Sequence, residues 1–316
     1  MRYFDHLGRK LSVIAMGCDH FDEHIMKETA LTELDYYVDQ GGNVIDTAHS
    51  YSQSRVGEMS KSEKCIGTWI KKNGLRKELF IATKGCSPPI DDYHQSRIDL
   101  KSIKSDIEQS VESLGTPADI WFFHRDNPSM PADEIIDMAI EEVREKGYAL
   151  HLGASNWTTK RIDEANAWAK AHGKEGFVMS EIQMSLASCT PEQWGDDTIV
   201  TMNEEEASWY KEHKMPVMAF SSQAKGYFSN IIAGKELSLK ALQRFDTPEN
   251  RKRAEKVRIL SKELAVPPSS IVIAYLTSLD MRVVPIIGSS KPEQIADTLS
   301  HADLTLDGDQ IDFLLA

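Results

Sequence analysis

The sequence predicts an α/β protein: a single (β/α)8 (TIM) barrel with an N-terminal β-hairpin closing its bottom. Three observations carry that reading. Short apolar runs alternate with longer amphipathic ones along the 316 residues, the pattern of parallel β/α units. Eight such runs are present, the number that closes a barrel of this kind. No Gly-x-Gly-x-x-Gly follows the first run, as the competing doubly wound sheet would want.

The elements follow in order. Residues 3–12, turning at Leu7-Gly8-Arg9-Lys10, read as the hairpin. Strands are expected at 13–17, 43–46, 79–83, 119–123, 149–153, 178–182, 216–220 and 283–286. Helical periodicity fills 24–40, 61–73, 101–114, 132–146, 159–171, 203–213, 249–264 and 268–279, and a last helix starts at Pro292. No Pro/Gly/Ser-rich linker divides the chain, so one domain is expected over 1–316.

Composition excludes several classes of function. The net charge is −13 with both signs interspersed and no basic stripe, which disfavours nucleic acid or an anionic membrane as partner. Cys18, Cys65, Cys86 and Cys189 show no C-x-x-C spacing and read as reduced thiols of a cytoplasmic protein. The N-terminus Met1-Arg2-Tyr3-Phe4-Asp5 has no apolar signal core. No run approaches the ~18 apolar residues of a membrane span. His20, His49 and His151 lack the spacing of a metal site. The expected partner is a small molecule, and the sequence sets no oligomeric state.

Chemistry in such a barrel collects at the carboxyl ends of the strands. Asp46, Lys84 and His124 end the second, third and fourth expected strands, and Tyr51 lies in the loop after the second. A phenol, an ammonium, a carboxylate and an imidazole together can make an acid that protonates a carbonyl oxygen. Taken singly, each has a blander reading: a packed Tyr, a snorkelling Lys, a satisfied core His. Taken jointly at one mouth, they point to carbonyl reduction.

These residues lie in segments that resemble the aldo-keto reductase family. The resemblance covers Asn43–Ala48 with Tyr51, Ala82–Lys84, Asp119–His124, Leu152–Trp157, Glu181–Gln183, Ala219–Gly226 and Pro285–Gln294. It implies a nicotinamide-dependent reductase of aldehydes and ketones, usually preferring NADPH, with NADH as the alternative. It implies that Tyr51 is the acid, that Lys84 lowers its pKa from ~10, that Asp46 holds Lys84, and that His124 orients the carbonyl or relays the proton. Ser155, Asn156 and Gln183 are implied at the nicotinamide carboxamide. Phe220 stands where the family has a stacking Tyr. Ser221, Ser222 and Gly226 are implied around the pyrophosphate. Gly288, Ser290 and Lys291 precede Pro292, and this helix start is implied to hold the 2′-phosphate, with Gln294 at the adenine. Thr298 replaces a usual Asn.

The mouth loops are polar. Asp19 and His20 follow the first strand, and Arg125, Asp126 and Asn127 follow His124. They suggest a hydroxylated carbonyl such as a keto-sugar or inosose, since an apolar substrate wants an apolar pocket. Trp157 is a candidate wall of that pocket. Rival readings are a barrel lyase using Lys84 as a Schiff base, a metal-dependent barrel hydrolase, and a regulatory protein that holds the cofactor with slow turnover.

Overall fold

The structure, a computed structural model, describes residues 1–22, 25–52, 58–289 and 291–316. Strands β1 (Tyr3–His6) and β2 (Arg9–Ser12) form an antiparallel hairpin, with Tyr3 opposite Ser12 and His6 opposite Arg9. Its connection is Leu7-Gly8, with φ of 51° and 71°. Both values are positive, as a two-residue type I′ turn requires. Arg9 and Lys10 therefore belong to the second strand, not to the turn.

Eight further strands follow: β3 (Ala15–Gly17), β4 (Val44–Asp46), β5 (Phe80–Gly85), β6 (Ala118–Phe123), β7 (Ala149–Ser155), β8 (Phe177–Gln183), β9 (Val217–Phe220) and β10 (Val283–Ile287). They close a barrel in the order β10-β3-β4-β5-β6-β7-β8-β9. This is the expected (β/α)8 fold with its N-terminal hairpin. Each strand lies within two residues of its predicted place. Val13 and Ile14 were expected in a strand but fall in the bend between β2 and β3. Strands β5 and β6 are buried at every residue, as strands covered on both faces are.

The chain packs as two compact units. One comprises Met16–Val38 and Asn43–Glu181. Its interior is aromatic, with Trp69, Trp121, Phe122, Phe123 and Trp157 all buried. Gly153 has a packing reason: a Cβ there would collide with the Phe122 ring. The other unit comprises Met1–Ala15, Asp39–Gly42 and Ile182–Ala316. Its core contains Tyr210, Tyr227, Phe228, Phe245 and Leu276.

The helices Lys61–Asn73, Leu100–Leu114, Thr159–Ala171 and Glu204–His213 match the periodicity closely. The stretch expected as one helix over 132–146 is α-helical over Ala132–Ala139 and continues as a π-helical turn, Ile140–Arg144. Short helices at Pro191–Trp194, Tyr227–Ile232, Leu239–Phe245 and Gly308–Leu315 were not anticipated. Their amphipathic stretches are too brief for a period to emerge. Thr190 and Gln193 nevertheless form a full capping box, a signature readable as T-x-x-Q. No single helix among the described residues is long and apolar enough to cross a membrane.

Candidate active site

Backbone hydrogen bonds between neighbouring strand ends set the frame of the site. Asp46 is the last residue of β4, and its carbonyl accepts from Cys18 N at 3.0 Å. Thr47 N donates to the Ala82 carbonyl at 2.9 Å, His49 N to the Lys84 carbonyl at 2.9 Å, and His124 N to the Gly85 carbonyl at 3.0 Å. The segment after β4 turns at once, with Tyr51 N donating to the Ala48 carbonyl at 3.0 Å and Ser52 at φ 57°. Asp46, Tyr51, Lys84 and His124 all lie in the first-described unit.

Lys84 is the centre of the cluster and has no exposed surface. Its Nζ donates to Asp46 Oδ1 at 2.5 Å, to Tyr51 OH at 3.0 Å and to the Thr47 carbonyl at 3.1 Å. Burial alone would lower the pKa of the ammonium, but Asp46, Glu181 and Tyr51 more than reverse this and raise it well above the lysine range. Lys84 is therefore firmly cationic. Burial also lifts the Asp46 carboxyl, while Lys84 pulls it back.

Tyr51 corrects the expectation that its phenol is made more acidic. Lys84 does act in that direction, but burial is the larger effect, and Asp46 and Glu181 add to it. The phenol stands well above its ordinary range. Desolvation of an anion outweighs one neighbouring cation when carboxyl groups share that cation. Tyr51 thus holds its proton firmly in the resting protein, as a proton donor must.

His124 lies just past β6. Its Nδ1 is 3.4 Å from Ser50 Oγ, and its ring meets the Tyr51 ring edge-on at 5.7 Å. Burial, followed by Arg125 and Lys84, lowers its pKa well below the histidine range. The imidazole is neutral at pH 7, so one ring nitrogen carries a proton and the other accepts.

Glu181 was not singled out from the sequence, yet it joins this cluster. Its Oε1 lies 3.3 Å from Lys84 Nζ, and it is buried. Burial first, then Asp46, pushes its carboxyl up to about 8 against the pull of Lys84. The signal for it was strand parity. In β8, Glu181 shares a face with Gln183 two residues on, and its Cα is in register with that of Ser155 on β7.

Ser155 ends β7, and Asn156 follows in the left-handed region at φ 58°. Asn156 Nδ2 donates to Ser155 Oγ at 3.1 Å and to the His124 carbonyl at 3.3 Å, and its N donates to the Glu181 carbonyl at 2.9 Å. The substrate roles expected for Trp157 and Asp126 do not fit their contacts. Trp157 has no exposed surface; it packs on Phe177 at 5.0 Å and donates from Nε1 to the Arg125 carbonyl at 3.3 Å. Asp126 is held in a two-pronged pair with Arg161, at 2.9 and 3.0 Å. Arg125 Nη1 donates to the His124 carbonyl at 3.1 Å, and its guanidinium lies over the Tyr93 ring at 5.9 Å. Asp19 and His20 pair at 3.2 Å with both side chains about half exposed.

The remaining candidates lie in the second-described unit. Gln183 ends β8, and its Nε2 is a buried donor with no hydrogen-bond partner among the described residues. That unmatched donor fits a ligand amide or carbonyl. Phe220 ends β9 and meets Trp194 edge-on at 5.6 Å. After it, Ser221, Ala224, Lys225 and Gly226 all have positive φ, which turns the backbone sharply before the Tyr227–Ile232 helix. Ser222 Oγ donates to the Ile286 carbonyl at 2.6 Å, leaving only its backbone for an anion. Gly288 follows β10, and Lys291 is the exposed N-cap of the Pro292–Leu299 helix. Ser289 Oγ donates to the Lys291 carbonyl at 2.9 Å. Gln294 lies in the first turn of that helix. Thr298 Oγ1 accepts from Gln223 Nε2 at 2.9 Å. Ser290 lies outside the described residues.

A family model described as the aldo/keto reductase family matches residues 13–314. The chain is 25% identical to an uncharacterized oxidoreductase, YrpG, of Bacillus subtilis, covering 96% of this chain and 91% of the relative. It is 26% identical to an aryl-alcohol dehydrogenase [NADP(+)] of Phanerodontia chrysosporium, covering 91% and 75%. It is 25% identical to norsolorinic acid reductase B of Dothistroma septosporum, covering 94% and 76%.

Proposed function

The chain belongs to the aldo/keto reductase family of oxidoreductases, and we propose that it reduces an aldehyde or ketone to the alcohol with NADPH. The observation that carries this is the Lys84 ammonium, which binds Asp46 Oδ1 and Tyr51 OH together. When bound, the nicotinamide supplies the hydride. Tyr51 then gives its phenolic proton to the carbonyl oxygen as negative charge builds there. The oxygen that hydride creates is that of an alcohol, which resembles water at ~15.7, against ~10 for an ordinary phenol. Lys84 stabilises the phenolate that remains, at a distance already set in the resting cluster. Asp46 keeps Lys84 aimed, and neutral His124 donates a hydrogen bond to the carbonyl oxygen. A carbonyl so held is in place for attack.

For the cofactor, we assign Ser155, Asn156 and Gln183 to the carboxamide and Phe220 to the ring. Backbone amides of Ser221, Ser222 and Gly226 suit the pyrophosphate. Gly288, Ser290, Lys291 and Gln294 suit the adenosine phosphate end, where Lys291 favours NADPH over NADH. The buried, unmatched Gln183 Nε2 supports a bound amide-bearing ligand. Four buried free cysteines support a reducing compartment, and we place the protein in the cytoplasm.

A polar, hydroxylated carbonyl remains our reading of the substrate, now resting on Asp19, His20 and Arg125. A second reading has its own support: relatives named for aryl alcohols suggest an aromatic aldehyde. The test is NADPH oxidation against a panel holding keto-sugars, inososes and aromatic aldehydes of similar size. Higher kcat/KM on the hydroxylated members, with a gap narrowed by Arg125→Ala, supports the polar reading. A consistent preference for aromatic aldehydes removes it and leaves the reductase in place. No NADPH oxidation with any carbonyl removes the reductase.

A further inference from the structure

Lys84 Nζ has three protons and four oxygens around it. Asp46 Oδ1, Tyr51 OH and the Thr47 carbonyl accept them at 2.5, 3.0 and 3.1 Å. Glu181 Oε1 stands fourth at 3.3 Å. A second carboxyl therefore sits on an ammonium whose hydrogen bonds are already taken. The other oxygen of Glu181, Oε2, is buried with no hydrogen-bond partner among the described residues. An ionised carboxylate so placed would carry an unsatisfied buried charge. A neutral carboxyl would not.

We propose that Glu181 is a positioning residue of the cluster, neutral in the active enzyme, whose ionisation turns the Lys84 charge away from Tyr51 and stops the phenol from acting. This deepens the reductase reading and rests on it. With Glu181 neutral, Asp46 and Lys84 cancel, and the phenolate formed in turnover is the one uncompensated charge. With Glu181 ionised, the same phenolate forms beside a net negative pair. The phenol resists, and Glu181 competes with Tyr51 OH for a Lys84 proton.

The groups around Glu181 come from several elements. Asp46 reaches it from β4, Lys84 from β5 and Tyr51 from the loop after β4. Ser155 on β7 brings no charge. Asp19 and neutral His124 stand further off, acting on Tyr51 and facing Lys84 respectively. Of these, Lys84 and Tyr51 ionise well above their ordinary ranges, and His124 charges well below its own. That leaves the window near pH 8 to the two carboxyls, both raised by burial, of which Glu181 is the one pushed up to about 8 while Lys84 pulls Asp46 back.

The test pairs two readouts on wild type and Glu181→Gln. In the protein without cofactor, infrared titration with labelled glutamate carboxyls should show a protonated carboxyl band at pH 7. That band should vanish around pH 8 and be absent from Glu181→Gln. In turnover, wild-type reduction should fall ~10-fold per pH unit above that point, as loss of one essential proton dictates. Glu181→Gln should lose this limb, its profile staying level where wild type falls. Glu181→Met serves as the reference if Glu181→Gln does not fold. Absence at pH 7 of a protonated carboxyl band that Glu181→Gln removes, or superimposable pH profiles, overturns the proposal. If wild type turns over no carbonyl, the reductase reading fails by itself. Ionisation of Tyr51, read by phenolate absorbance against Tyr51→Phe, then decides the coupling. It should move to lower pH in Glu181→Gln, and an unmoved Tyr51 overturns the proposal.

Discussion

Around Lys84, position is set by charge, whereas in the loops after β9 and β10 it is set by backbone. The first region packs an ammonium, two buried carboxyls and a partly buried phenol at 2.5 to 3.3 Å. The second turns on Ser221, Ala224, Lys225 and Gly226 at positive φ, and presents Lys291 to solvent as a helix N-cap. Side chains in the first hold one another, so removing one exposes the rest. Side chains in the second are held by the chain itself, and each is separable. The difference predicts how substitutions should behave: coupled and severe in one region, additive and mild in the other.

Lys84→Met should break the first region most severely. It leaves Asp46 and Glu181 buried without their cation, a loss of about 3–5 kcal/mol of stability for a broken buried pair. Turnover should fall ~10²–10⁴-fold as well, since the phenol loses its charged neighbour. Chemical denaturation and steady-state kinetics check both. Lys84→Arg should restore charge without restoring activity, because the guanidinium is planar and larger.

Glu181→Gln sharpens the comparison through pH. Native Glu181 keeps its proton to about 8, against 4.5 for an ordinary glutamate. The native state thus binds a proton that the unfolded chain has released, and stability falls as pH rises between those values. The variant lacks this slope. Its stability relative to wild type should grow from pH 4.5 to pH 8, measured by denaturation at several pH values. A flat difference would mean that Glu181 is ionised throughout.

Lys291→Ala should show the mild behaviour of the second region. NADPH binding should weaken by about 1–3 kcal/mol, the worth of a hydrogen bond to a charged group. NADH binding and the fold should be unchanged. Fluorescence titration with both cofactors decides, and equal losses would place Lys291 on something other than the 2′-phosphate.

The same contrast explains what the sequence revealed. Buried parallel strands such as β5 and β6 are continuous apolar runs, so the barrel was legible. Asp46, Lys84 and His124 stood out because each ends such a run. Glu181 did not, since it lies inside a strand pattern where a charged residue reads as a break. The high pKa of Tyr51 was hidden because sequence shows neighbouring charges and not desolvation. The Asp126–Arg161 pair joins residues 35 positions apart, and no local pattern announces it. The burial of Trp157 depends on Phe123 and Phe177, which only packing brings together. In the loops, the resemblance implied Ser222 around the pyrophosphate, while its hydroxyl serves a backbone carbonyl.

The central claim is that Tyr51, on Lys84, is the acid of a carbonyl reduction. The most direct test is Tyr51→Phe, with NADPH oxidation and NADPH affinity measured on the same preparation. The substitution removes one oxygen and keeps the ring against His124. Turnover should fall ~10²–10⁴-fold, the usual worth of a positioned acid, while affinity for NADPH stays unchanged. Turnover close to that of wild type, on a carbonyl that wild type reduces, would contradict it.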